Sequence, residues 1–203
     1  MAFIKKTPSS LSVISAIFIL FSSGVLAQKI EVKDPKIEIT IQKTPRYSPN
    51  GPKEKRDTQK FWIEVEVGFK ADQKGKPDEE HIAQLEFKYY ITIKPKDPKN
   101  RKVYTLSLTH VNIPKDEGIY SVAYMSPTTI AKIIGKSKMP SKSDIDVAVE
   151  IRSQGTLIAG DKTTSGSKKW WTELPQAEGL VLDKTKTPFA PLWWDRYAEV
   201  QGR

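Results

Sequence analysis

Hydrophobic and polar residues alternate along most of the chain beyond residue 30. Ile37, Ile39 and Ile41 interleave with Glu38 and Thr40, the period-two pattern of a half-buried strand. The cleanest case puts Phe61, Ile63, Val65, Val67 and Phe69 on one face and Trp62, Glu64, Glu66 and Gly68 on the other. The carboxylates of that second face are expected to stand in solvent. A further strand is predicted from about Leu85 to Ile93, with Leu85, Phe87, Tyr89, Ile91 and Ile93 inward and Glu86, Lys88 and Thr92 outward. Turn residues at 94–100 lead into Tyr104, Leu106 and Leu108 alternating with Thr105, Ser107 and Thr109, which predicts a hairpin. Strands follow at Ile119–Met125 and at Ile145, Val147, Val149 and Ile151, and Gln154-Gly155 turns the chain into Thr156 to Ala159.

One segment changes period. Ser126 is placed as a helix N-cap with Pro127 at the first helical position. Ile130, Ala131, Ile133 and Ile134 recur at helical spacing, and Gly135 stops the turn. About seven strands, long turns and one short helix predict an all-β fold, an antiparallel β-sandwich. Thr163 to Ser167 reads as a small polar linker. The expected organisation is a leader at 1–27, a sandwich at 28–167 and an aromatic C-terminal segment at 168–203 packed on the sandwich.

The leader changes the picture of compartment. Lys5 and Lys6 precede an apolar run from Leu11 to Phe21, and Val25-Leu26-Ala27 supplies a cleavage site, so a secretory signal is expected to be cut between Ala27 and Gln28. The run is short for a membrane span, which needs about 20 apolar residues. A prepilin leader ending at Gly24 would keep a long apolar helix with Glu at the fifth position. Here that position is Lys29 and the chain that follows is polar. The exported product is expected in the periplasm, on the outer surface or outside the cell, without an integral membrane span.

Composition then narrows the chemistry. The 203 residues include no cysteine and only two histidines, His81 and His110. That excludes disulfide scaffolds, thiol nucleophiles and thiolate-bound metals, and leaves little for a His-built metal site. No nucleophile elbow, phosphate loop or dinucleotide fingerprint is present. Glu64 with Glu66, and Asp144 with Asp146, are paired carboxylates that strand alternation already explains. His110 is expected to be half-exposed near a strand end. The chain reads as a non-enzyme with no cofactor and no metal. The net charge of +9 gathers in loops at Lys53, Lys55, Arg56 and Lys60 and at Lys94, Lys96, Lys99, Arg101 and Lys102. These loops serve solubility first, and as a docking charge on an exported protein they suit anionic glycans, lipid headgroups or acidic protein surfaces rather than nucleic acid.

Four of the five tryptophans fall in two adjacent pairs, Trp170-Trp171 and Trp193-Trp194, followed by Tyr197. A free tail does not usually carry that much aromatic surface. These five residues form a candidate assembly surface, some rings packing inward and others serving as anchors. Stacking on a sugar is the alternative. Asp116-Glu117-Gly118-Ile119-Tyr120-Ser121-Val122 has the D-x-G-x-Y-x-V form of an immunoglobulin tyrosine corner. Asp116, Gly118 and Tyr120 would then be structural, with Val122 in the place of the second core cysteine.

The run of Trp-Trp, then Glu178-Gly179-Leu180-Val181-Leu182, then Lys186-Thr187-Pro188-Phe189-Ala190-Pro191-Leu192-Trp193-Trp194-Asp195, resembles the pilus-like protein family of Akkermansia and other verrucomicrobia. The resemblance implies an immunoglobulin-like sandwich and a link to type IV pilus-like assemblies, through protein partners or self-assembly. The missing pilin helix departs from ordinary pilins. The alternative function is a periplasmic or surface glycan-binding module.

Overall fold

The computed structural model describes residues 29–46, 59–75, 78–95, 97–135 and 139–202. The expected signal sequence and the basic cluster at 53–58 lie outside the described residues. The first sheet contains β1 (Ile30–Lys43), β2 (Phe61–Gln73), β5 (Ile119–Met125) and β9 (Val181–Asp183), in that order and antiparallel throughout. The second runs β7 (Thr156–Lys162), β6 (Ile145–Ser153), β3 (His81–Ile93), β4 (Val103–Pro114) and β8 (Gln176–Glu178), with β8 parallel to β4. The chain thus crosses between sheets after β2, β4, β5 and β8. This is the Greek-key path of an immunoglobulin-like sandwich, with β4 in the place of the C′ strand. The strand that usually borders the fifth strand is missing from the short turn between β4 and β5. β9, from near the C-terminus, fills that edge instead.

Alternation on each strand builds the core as expected. Ile63, Val65, Val67 and Phe69 of β2 meet Phe87, Tyr89 and Ile91 of β3 and Val147 and Val149 of β6. Phe69 and Phe87 lie 4.8 Å apart between ring centres. The helix α1 (Pro127–Ile134) carries the chain from the first sheet to the second. The Ser126 hydroxyl accepts the Thr129 N–H at 3.2 Å, Gly135 ends the helix at φ 82°, and Ile130 plugs the core.

The last 35 described residues are woven into the sandwich. Besides β8 and β9, residues 197–201 bond to both sheets. Ala198 N–H donates to Tyr120 O at 2.8 Å on β5, and Val111 N–H of β4 donates to Glu199 O at 3.0 Å.

The tyrosine-corner expectation requires correction. In an immunoglobulin domain the corner tyrosine sits at the start of the sixth strand. Tyr120 instead opens β5, and Val122 points to the outer face of the first sheet, against Tyr124 and Phe189 and away from the inter-sheet core. Asp116 turns the chain at φ 54°, donates its N–H to Ala71 O at 2.8 Å and accepts from Lys33 at 3.1 Å. Asp116 and Gly118 therefore form a tight inter-sheet turn, and the Tyr120 ring serves another contact.

Candidate functional site

Both outer faces of the sandwich are covered by the C-terminal segment, each over a buried carboxylate. On the second sheet, the 3₁₀ turn Trp170–Thr172 lays Trp171 against Tyr90, with ring centres 5.8 Å apart. Trp170 packs edge-on to Trp171 at 5.6 Å. Beneath them Glu150 accepts from Tyr90 Oη at 3.1 Å and from Arg152 at 2.9 Å. Burial alone would raise the Glu150 carboxyl, but these donors outweigh it and hold it below the usual carboxylate range. Burial and that charge push the Tyr90 hydroxyl up to about 12.

On the first sheet, Phe189 stacks face to face on Tyr124 at 4.8 Å, and Trp62 meets Phe189 edge-on at 5.8 Å. Glu64 and Glu66, expected in solvent, are buried here. The alternation of β2 marked its second face as polar, but the tail covers that face. Glu64 accepts from Tyr124 Oη at 2.8 Å and Gln42 Nε2 at 3.3 Å, and burial still raises its carboxyl. Glu66 receives the Arg196 guanidinium in a two-pronged contact, Nε at 3.1 Å and Nη2 at 2.9 Å, and the Tyr197 hydroxyl. Burial opposes ionisation of Glu66, yet this fork outweighs it and keeps the carboxyl low. Arg196 also lies 3.7 Å over the centre of the Tyr120 ring. That ring rests on Gly68, where an added Cβ would come within 2.9 Å of Tyr120 Cε1.

His110, expected half-exposed, is 1% exposed. Strand position alone does not show that residues 198–200 close over it. Tyr89 Oη donates to Ser121 Oγ at 2.6 Å, and Ser121 Oγ lies 2.7 Å from His110 Nε2. His110 Nδ1 is 3.1 Å from Ala198 O. The set is satisfied by a neutral ring protonated at Nδ1, and burial pushes the imidazole down to about 4. Ser121 is itself fully buried, so this serine–histidine pair ties the two sheets to the tail rather than facing a substrate.

The five aromatic residues of the expected assembly surface do not form one patch. Trp171 is 6% exposed and its pair lies on the second sheet. The segment bearing Trp193, Trp194 and Tyr197 lies over the first sheet, and Tyr197 is tied down by Glu66. Trp193 and Trp194 stand out, 49% and 72% exposed. Trp193 has φ 50° and ψ 46°, a left-handed conformation that a bulky residue adopts only under strain.

The remaining charged pairs are internal fastenings. Arg101 bonds Asp146 at 2.5 Å, and Asp144 accepts the Ser141 N–H at 3.0 Å. Among the described residues no three metal-ligating side chains gather, and no helix is long and apolar enough to cross a membrane.

A family model matches residues 23–203, and a crystal structure from Akkermansia muciniphila superposes with a TM-score of 0.77. The chain belongs to the Akkermansia-type pilus-like family. The Akkermansia structure is 25% identical and covers 87% of this chain and 96% of its own. No curated protein matches the chain. The pilus-like family and its sandwich are not those of a known enzyme family. Membership accounts for the tail's course as well as the sandwich's, because the matched residues run through both.

Proposed function

We propose that the protein is an exported, non-enzymatic surface component or accessory of a type IV pilus-like assembly, acting through protein–protein contacts. The observation that carries this reading is the Trp193-Trp194 corner. Two large rings stand out from a rigidly held turn, at a backbone conformation that costs about 1–3 kcal/mol to maintain. Neighbouring Arg196 is clamped by Glu66 and Tyr120, so the rings are presented on a fixed base and lose little freedom on docking. Tryptophan is the residue type most enriched at interface anchors. The signal-like leader and the absence of a retained pilin helix in the sequence favour docking to a filament over building it by a helical stem. The division into leader, sandwich and tail belongs to this reading, with the tail as the part that meets the partner.

Shearing native cells and following the protein by immunoblot and immunogold labelling tests the proposal. Recovery with, and labelling along, a filament fraction is expected. Recovery only in the soluble periplasmic fraction overturns it and favours the glycan-binding alternative.

A further inference from the structure

Beside the exposed corner lies a cavity of about 440 Å³. Its lining combines Val122, Ala190, Ala198 and Val200 and the Trp194 and Tyr197 rings with the polar His110, Thr185 and Glu199. Lys184 also lines it and is only 7% exposed. Its ammonium donates to Ala190 O at 3.2 Å and lies 4.9 Å from the Tyr197 ring centre and 5.6 Å from that of Trp194. A buried ammonium ordinarily has a carboxylate partner. Among the described residues Lys184 forms no ion pair, and the nearby carboxylates are engaged elsewhere. Asp183 takes Lys186 at 3.0 Å and the Thr185 hydroxyl, Glu66 takes Arg196, and Glu199 takes Asn112 at 3.0 Å. Burial pulls the Lys184 ammonium below the ordinary lysine range, with no neighbouring charge to restore it.

We infer that this cavity is a socket for a carboxylate side chain of a protein partner, which pairs with Lys184 while its methylenes lie on Trp194. A lone cation flanked by two aromatic faces supplies half of a desolvated ion pair and leaves the anion to the ligand. The lining favours a glutamate-like group over a uronic acid, because a sugar ring needs several hydroxyl partners and the other polar groups of the lining, His110, Thr185 and Glu199, already bond within the protein. That the acid comes from a protein rests on the assembly reading above; the ion pair itself does not.

The test uses the isotopically labelled purified protein, with the indole N–H signal of Trp194 assigned through Trp194→Phe. N-acetyl-glutamate N-methylamide is titrated at constant ionic strength, against sodium chloride and glucuronate. A saturable shift of the Trp194 signal with the glutamate amide alone is expected, at least tenfold weaker in Lys184→Met. Methionine fills similar volume without the charge, and Lys184→Gln serves as a second variant should the first not fold. No shift, a shift matched by chloride, or a shift surviving in the folded variant overturns the proposal. A response to glucuronate without one to the glutamate amide overturns it in favour of a glycan site. A negative titration leaves the filament fractionation standing, and failure of the fractionation leaves the ion pair standing.

Discussion

His110 shows how one residue links acidity to the tail. Its ring is neutral in the fold and depressed to about 4, against 6.5 for an ordinary histidine. Between those values the unfolded chain binds the proton and the folded chain does not. The stability this group contributes is therefore present above pH 6.5 and is lost as pH falls toward 4. The shift sets an upper limit of about 3 kcal/mol. Urea midpoints measured across that range should fall for the native protein, with a clearly flatter dependence in His110→Gln. Parallel curves would show that protonation of His110 is not what loosens the fold. Glu64, Glu66 and Glu150 obey the same logic with other outcomes: each is buried, but only the last two have an arginine close enough to reverse the effect of burial.

At the scale of elements, the C-terminal segment is structural before it is functional. It supplies β8 and β9, covers the outer face of each sheet, and closes over His110. Phe189 is its main apolar fastening on the first sheet, 1% exposed between Tyr124 and Trp62. Phe189→Ala removes that fastening and leaves a cavity beside Tyr124 and Trp62, so a loss of about 3–5 kcal/mol is expected. For a domain of this size the melting temperature should drop by roughly 6–20 °C. A drop of a degree or less would mean that the segment rests on the sheet without holding it.

For the whole molecule, stability and association are expected to separate at the exposed corner. Replacing Trp193 by Asn and Trp194 by Ala together removes two protruding rings and puts at residue 193 a side chain that tolerates the left-handed conformation. Little buried area is lost at Trp194, and relief of strain at Trp193 offsets what its half-buried ring contributes. The melting temperature should stay within a few degrees of the native value, while recovery with the filament fraction is abolished. Retained recovery would move the docking surface elsewhere. A large fall in melting temperature would show that the rings serve the protein's own packing.

Much of the architecture was legible in the chain. Strand positions, the short helix with its Ser126 cap and Gly135 stop, and the inward set of β2 and β3 all follow from local periodicity and turn chemistry, which act between near neighbours. The tail's family run was equally plain, because it is a local string. Three things were decided only by the fold. Glu64 and Glu66 read as a wet face because alternation reports that one side of a strand is polar, not what lies over it. Tyr120 read as a corner because a short motif carries no information on which strand of the Greek key it opens. The two tryptophan pairs read alike in sequence but differ in exposure. One packs on Tyr90 of the second sheet, while the other sits at the tip of a strained turn. In each case the deciding partner lies tens of residues away, and contacts between distant segments are fixed by packing, not by the local order of residues.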